Sequence, residues 1–106
     1  MGSSGAMQTG WQWIDGTWYH FNDYGGMSVA WQWIDGNYYY FNPNGSMATG
    51  WNWINGYWYY FESSGKMVSN TWKWIDGYCY YFYGSGSMAR NTWINGSYVN
   101  NSGIWV

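Results

Sequence analysis

The run Trp11-Gln12-Trp13-Ile14-Asp15-Gly16 returns as Trp31-Gln32-Trp33-Ile34-Asp35-Gly36, Trp51-Asn52-Trp53-Ile54-Asn55-Gly56 and Trp72-Lys73-Trp74-Ile75-Asp76-Gly77, at spacings of 20, 20 and 21 residues. A unit this short has no interior of its own. It buries an apolar face only by stacking on the next copy, so the sequence predicts an all-β solenoid or array with function lodged between copies.

The all-β expectation rests on the turn signals. Asp-Gly or Asn-Gly pairs stand at 15–16, 35–36, 55–56, 76–77 and 95–96, flanked by alternating aromatics. This is the strongest short-range hairpin signal, because a type I′ turn needs positive φ at both central residues. The turn also sets the register: Ile14 opposite Thr17, Trp13 opposite Trp18, Trp11 opposite His20. Side chains alternate across a strand, so Trp11, Trp13, Trp18 and His20 share one face while Gln12, Ile14, Thr17, Tyr19 and Phe21 share the other. The second face is expected to be the interior, with Ile14, Ile34, Ile54, Ile75 and Ile94 and Phe21, Phe41, Phe61 and Phe82 as its stripe. Polar connectors follow each hairpin, such as Asn42-Pro43-Asn44-Gly45-Ser46, and each leads through a single methionine to the next tryptophan.

Composition narrows the function. Of 106 residues, 27% are aromatic and 8% charged, so rings that each bury roughly 150–250 Å² must supply most of the packing. A net charge of −2 with only Lys66, Lys73 and Arg90 as cations argues against a nucleic-acid partner, which is held by counter-ion release. No apolar run approaches the roughly 20 residues that span a bilayer. The single cysteine, Cys79, and single histidine, His20, offer neither a disulfide framework nor a metal site, and no cofactor is indicated. Asp15, Asp35 and Asp76 sit at turn positions with no recurring second carboxylate, so the sequence reads as non-enzymatic. Cys79 takes the place of a Trp18-type ring and is expected to act as a buried or half-buried filler.

One domain is expected, with no composition break to divide it. Residues 1–9 read as the tail of a preceding repeat, which suggests a chain cut from a longer array. Four repeats follow at 10–29, 30–49, 50–70 and 71–92. Residues 93–106 form a shortened, divergent copy that reads as a terminal cap.

Trp51 through Trp58, then Tyr59-Tyr60-Phe61 and Gly65-Lys66-Met67, together with the junctions Met7-Gln8-Thr9-Gly10-Trp11 and Met47-Ala48-Thr49-Gly50-Trp51, resemble the choline-binding or cell-wall-binding repeat family. The resemblance runs in register from residue 3 to 92. It implies a β-hairpin solenoid that attaches secreted bacterial or phage proteins to choline or phosphocholine on teichoic and lipoteichoic acids. It implies extracellular, cell-wall-associated localisation as well. In that family each site takes two aromatics from one hairpin, and an aromatic and a methionine from the next. Carried over by position, the first site is Trp11, Trp18, Tyr40 and Met47. The second is Trp31, Tyr38, Tyr60 and Met67, and the third is Trp51, Trp58, Tyr81 and Met88. A fourth, needing Trp72, Cys79 and a ring where Asn100 stands, is expected to be lost. The series Trp13, Trp33, Trp53 and Trp74 departs from the family, where a Lys or other polar residue is common, and its role stays open between cage, sugar platform and cover.

Such a cage suits a quaternary ammonium, which has no proton to donate but meets the negative faces of aromatic rings over its whole methyl surface. Methionine adds a polarizable wall. Glycan binding is the second reading, with Gln12, Gln32, Asn52 and Asn22 as partners for sugar hydroxyls. A sugar site wants donors converging on a flat ring, however, and the recurring methionines favour the cage. A structural or oligomerising stalk is the third reading, which leaves the Trp, Tyr and Met spacing without a reason.

Overall fold

The chain's structure, a computed structural model, describes residues 9–106, so all but Thr9 of the expected preceding-repeat tail lies outside the described residues. Ten strands follow in order: β1 (Gly10–Ile14), β2 (Thr17–Phe21), β3 (Ala30–Ile34), β4 (Asn37–Phe41), β5 (Gly50–Ile54), β6 (Tyr57–Phe61), β7 (Thr71–Ile75), β8 (Tyr78–Phe82), β9 (Thr92–Ile94) and β10 (Ser97–Val99). They pair only with their chain neighbours, as five antiparallel hairpins. The register is the expected one, with Trp11 opposite His20, Trp13 opposite Trp18 and Ile14 opposite Thr17. At every hairpin tip both turn residues take positive φ, from Asp15 at 50° and Gly16 at 80° to Asn95 at 49° and Gly96 at 86°. That is the type I′ conformation, whose twist matches that of the strands it joins.

Contacts divide the chain into two compact units, the first ending at Ala48 and the second running from Thr49 to Val106. In the first unit, the Trp11 ring packs on Tyr39 and Phe41 of the following hairpin, at centroid distances of 5.0 and 5.7 Å. In the second, Trp51 repeats this on Tyr80 and Phe82 at 4.9 and 5.8 Å. Each of these hairpins therefore presents its Trp face to its successor, and the successor answers with its Tyr/Phe face. Both faces of an inner hairpin are used, which is how strands too short to form a core become a stack.

Phe41, Phe61 and Phe82 are fully buried, as the interior stripe requires. The isoleucines are graded instead: Ile54 and Ile75 are buried, but Ile14 is 44% exposed. Ile14 lies on the face that later hairpins turn towards a predecessor, and among the described residues the first hairpin has none.

The connectors fasten the stack. After each hairpin a four-residue turn closes through a backbone bond, such as Gly45 N–H to the Asn42 carbonyl at 2.7 Å. The methionine then bridges back to the phenylalanine of its own hairpin (Phe41 with Met47, Phe82 with Met88). Its N–H also reaches the preceding hairpin, from Met47 to the Trp18 carbonyl at 3.1 Å and from Met88 to the Trp58 carbonyl at 2.8 Å. Connector and hairpin thus bond to each other through main chain, which fixes where the methionine side chain sits.

Candidate functional site

In the second unit, Trp51 starts from β5 and Trp58 from β6, and the two indoles stand almost perpendicular, at 88° with centroids 6.1 Å apart. Tyr80 on β8 meets Trp51 at 72°. Together with Met88 and Ser102 these rings line a cavity of about 290 Å³. No lining residue carries a formal charge. Met88 is buried and held from behind by Gly103, where a Cβ would come within 2.5 Å of the methionine sulfur; the same glycine takes φ +82°. An aromatic corner with a fixed thioether and no charged lining residue is suited to receive a methylated cation on its ring faces.

The first unit repeats the corner. Trp11 and Trp18 stand at 90° with centroids 6.0 Å apart, Tyr39 meets Trp11, and the Met47 N–H is bonded to the Trp18 carbonyl. Tyr39 is buried, and burial raises its phenol pKa, with Asp35 adding to the effect. Burial raises Tyr80 likewise, with Tyr78 and Asp76 contributing. Both phenols therefore stay neutral well past physiological pH.

The ring of the following hairpin that meets this corner is Tyr39 or Tyr80, while Tyr40 and Tyr81, expected by position, lie one residue on and pack against Trp31 and Trp72. Strand alternation is the reason. Tyr40 lies opposite Trp31 on its own hairpin and stacks edge-on to it at 5.2 Å, so it belongs to the Trp face and points away from Trp11. Tyr81 pairs in the same way with Trp72 at 5.2 Å, and with Tyr83. By the same period of two, Tyr19 shares a face with Phe21, the residue type that the neighbouring hairpin touches. Of the second expected set, Trp31 and Tyr38 belong to the first unit, where their rings stand at 89°. Tyr60 and Met67 belong to the second, where Tyr60 stacks on Trp51 and Met67 is bridged to Phe61.

The additional tryptophans lie outside the corner. Trp13, Trp33 and Trp53 are 60%, 62% and 53% exposed and lean on the outer wall ring of their own hairpins, Trp18, Tyr38 and Trp58, at 5.2, 4.7 and 5.3 Å. His20, in the Tyr40 position, stacks on Trp11 at 5.3 Å and is bonded through Nδ1 to the Ser28 hydroxyl at 2.9 Å.

Models of known families match along most of this architecture. Residues 28–72 and 48–93 match the choline-binding repeat, and residues 9–27 the putative cell wall binding repeat. The chain belongs to the choline-binding repeat family. Among solved structures it is similar to CbpJ from Streptococcus pneumoniae TIGR4, with 33% identity and a TM-score of 0.71 over 99% of this chain and 43% of that one. It is similar to the choline binding domain of Spr1274 from Streptococcus pneumoniae, with 46% identity and a TM-score of 0.71 over 74% of this chain and 95% of that one. An endolysin from phage Cp-1, solved in complex with choline, matches with 34% identity and a TM-score of 0.65 over 81% of this chain and 26% of that one. The chain thus spans less than half of CbpJ. No curated protein matches the sequence significantly.

Proposed function

We propose that this chain is a non-catalytic, extracellular attachment module that holds choline or phosphocholine of cell-wall teichoic acids in aromatic corners between consecutive hairpins. The observation that carries the reading is the uncharged cavity of Trp51, Trp58, Tyr80 and Met88. In the first unit Trp11, Trp18, Tyr39 and Met47 make the equivalent corner. The phage Cp-1 relative, bound to choline, supports the choice of ligand over a glycan.

The arrangement selects by charge and shape. Perpendicular indoles present two faces to one trimethylammonium, and each ring contributes about 0.5–2 kcal/mol of cation–π attraction. Phosphate or ribitol on the polymer side remains in solvent, since the cavity offers no basic residue to an anion.

The test is calorimetric titration with choline beside its neutral tert-butyl analogue, which has the same shape and no charge. Saturable heat with choline alone supports the reading. Equal binding of both compounds would reduce the corner to a hydrophobic pocket, and silence with choline but heat with glucan oligosaccharides would move the function to glycan binding.

A further inference from the structure

A second cavity in the second unit, of about 220 Å³, is lined by Trp72, Trp74, Cys79, Ser97 and Trp105. The sequence alone discounts this place, because Cys79 stands where Trp58 stands one repeat earlier and Asn100 stands where a ring is needed. Geometry supplies both losses from elsewhere. The Trp105 N–H is bonded to the Cys79 carbonyl at 2.9 Å, the same bond that Met88 makes to Trp58, and Trp105 bridges to Val99 as Met88 does to Phe82. An indole therefore occupies the methionine's place in the main-chain scaffold.

The small side chain at 79 has a second effect. In the earlier hairpins the additional tryptophan leans on a ring at that position, as Trp53 does on Trp58 at 5.3 Å. Trp74 has no such ring beside it, and instead meets Trp105 at 6.2 Å and 78°. Trp105 also meets Trp72 at 6.4 Å and 60°. Three indoles thus surround a cavity whose remaining wall is a buried thiol and a serine hydroxyl. Trp74 and Trp105 are 65% and 46% exposed, so two of the rings keep free face on the solvent side.

We propose that this cavity is a further methylammonium site, built from Trp72, Trp74 and Trp105, in which the cap's tryptophan replaces the methionine and the additional tryptophan series is recruited as a wall. The inference rests on the choline reading of the Trp51 corner. Indole is the strongest cation–π partner among the aromatic side chains, so a site of three indoles needs neither tyrosine nor thioether. No charged residue lines it, as in the larger cavity.

The experiment is a choline titration of the full chain followed by NMR of the indole N–H resonances, assigned with single Trp→Phe variants. The expected result is saturable movement of the Trp74 and Trp105 signals alongside those of Trp51 and Trp58. Trp105→Ala and, separately, the surface variant Trp74→Ala should each remove one choline from the calorimetric stoichiometry while the Trp58 response stays unchanged. Slower alkylation of Cys79 by iodoacetamide in the presence of choline, by roughly tenfold at about ten times the dissociation constant, gives an independent readout of occupancy. If Trp51 and Trp58 respond while Trp74 and Trp105 stay still, this inference is overturned and the choline reading stands. If none of the four responds, the choline reading fails as well.

Discussion

Tyr80 and Tyr81 are adjacent and chemically identical, yet strand alternation gives them opposite jobs: Tyr80 lines the cavity, and Tyr81 stacks on Trp72. Tyr80→Leu keeps an apolar side chain against the core but removes the ring face. Choline affinity at the Trp51 corner should then weaken by about 0.5–2 kcal/mol, roughly two- to thirtyfold in Kd, whereas Tyr81→Leu should leave it unchanged. Isothermal titration of the two variants decides the assignment, and the opposite ranking would return the site to the tyrosine expected by position. The same burial that seats these rings also sets a pH limit. Tyr39, Tyr59, Tyr80 and Cys79 all have pKa values raised chiefly by burial. The folded state thus holds these protons more tightly than the unfolded state. Stability from this source is complete below the unfolded values, about 8.5 for the thiol and 10 for the phenols, and is lost as pH rises through the raised folded values. Denaturant midpoints should therefore fall with pH on the alkaline side. A midpoint that rises there would contradict the burial of these groups.

At the scale of the hairpin, turn chemistry and alternation made most of the fold legible: the Asp-Gly and Asn-Gly pairs locate all five tips and set every register. Alternation also assigned Phe41, Phe61 and Phe82 to the buried face. What stayed hidden was that an inner hairpin uses both faces, one forward and one back. A single hairpin read alone has an inside and an outside, whereas a stacked one has two insides, and position along the repeat does not by itself say which of two adjacent tyrosines faces back. Local strain was hidden too. The residue that opens each early repeat takes positive φ, and Gly10 and Gly50 accept it freely, but Ala30 holds φ 60° there. Ala30 is exposed, so Ala30→Gly sacrifices no packing and relieves a left-handed conformation that disfavours a Cβ by about 1–2 kcal/mol; part of the gain returns as unfolded-chain entropy. A net stabilisation of about 0.5–1 kcal/mol is expected in chemical denaturation. Phe82→Ala should act in the other direction, by about 3–5 kcal/mol, because Phe82 is fully buried beneath Trp51. Trp58→Ala, at a ring 39% exposed, should instead lose ligand with little change in the midpoint.

At the scale of the whole chain, the division after Ala48 has no counterpart in the sequence, where Met47-Ala48-Thr49-Gly50-Trp51 is as regular as any junction. Each unit nonetheless carries a complete aromatic corner of its own, Trp11 with Trp18 and Tyr39, and Trp51 with Trp58 and Tyr80. Three rings per corner, set against the loss of ligand freedom on binding, make a weak site for free choline. A cell-wall polymer presents choline repeatedly, and once one corner is filled the next binding event becomes intramolecular, which raises overall avidity by about 10²–10⁴ without any new contact. Weak sites in series have a use that one tight site lacks, because an array that works as proposed would hold a polymer firmly yet exchange each choline quickly. Trp18→Ala and Trp58→Ala separate the two quantities. Each should remove one choline from the calorimetric stoichiometry and leave the affinity of the remaining sites unaltered. Retention on a choline-decorated surface should fall far more steeply, by at least about tenfold for each lost corner, and the double variant, left with the Trp72, Trp74 and Trp105 cavity alone, should release at the free-choline concentration that displaces a single site. Surface plasmon resonance with a choline-substituted polymer measures this directly, and retention that declines only in proportion to the number of corners removed would show that the repeats act independently.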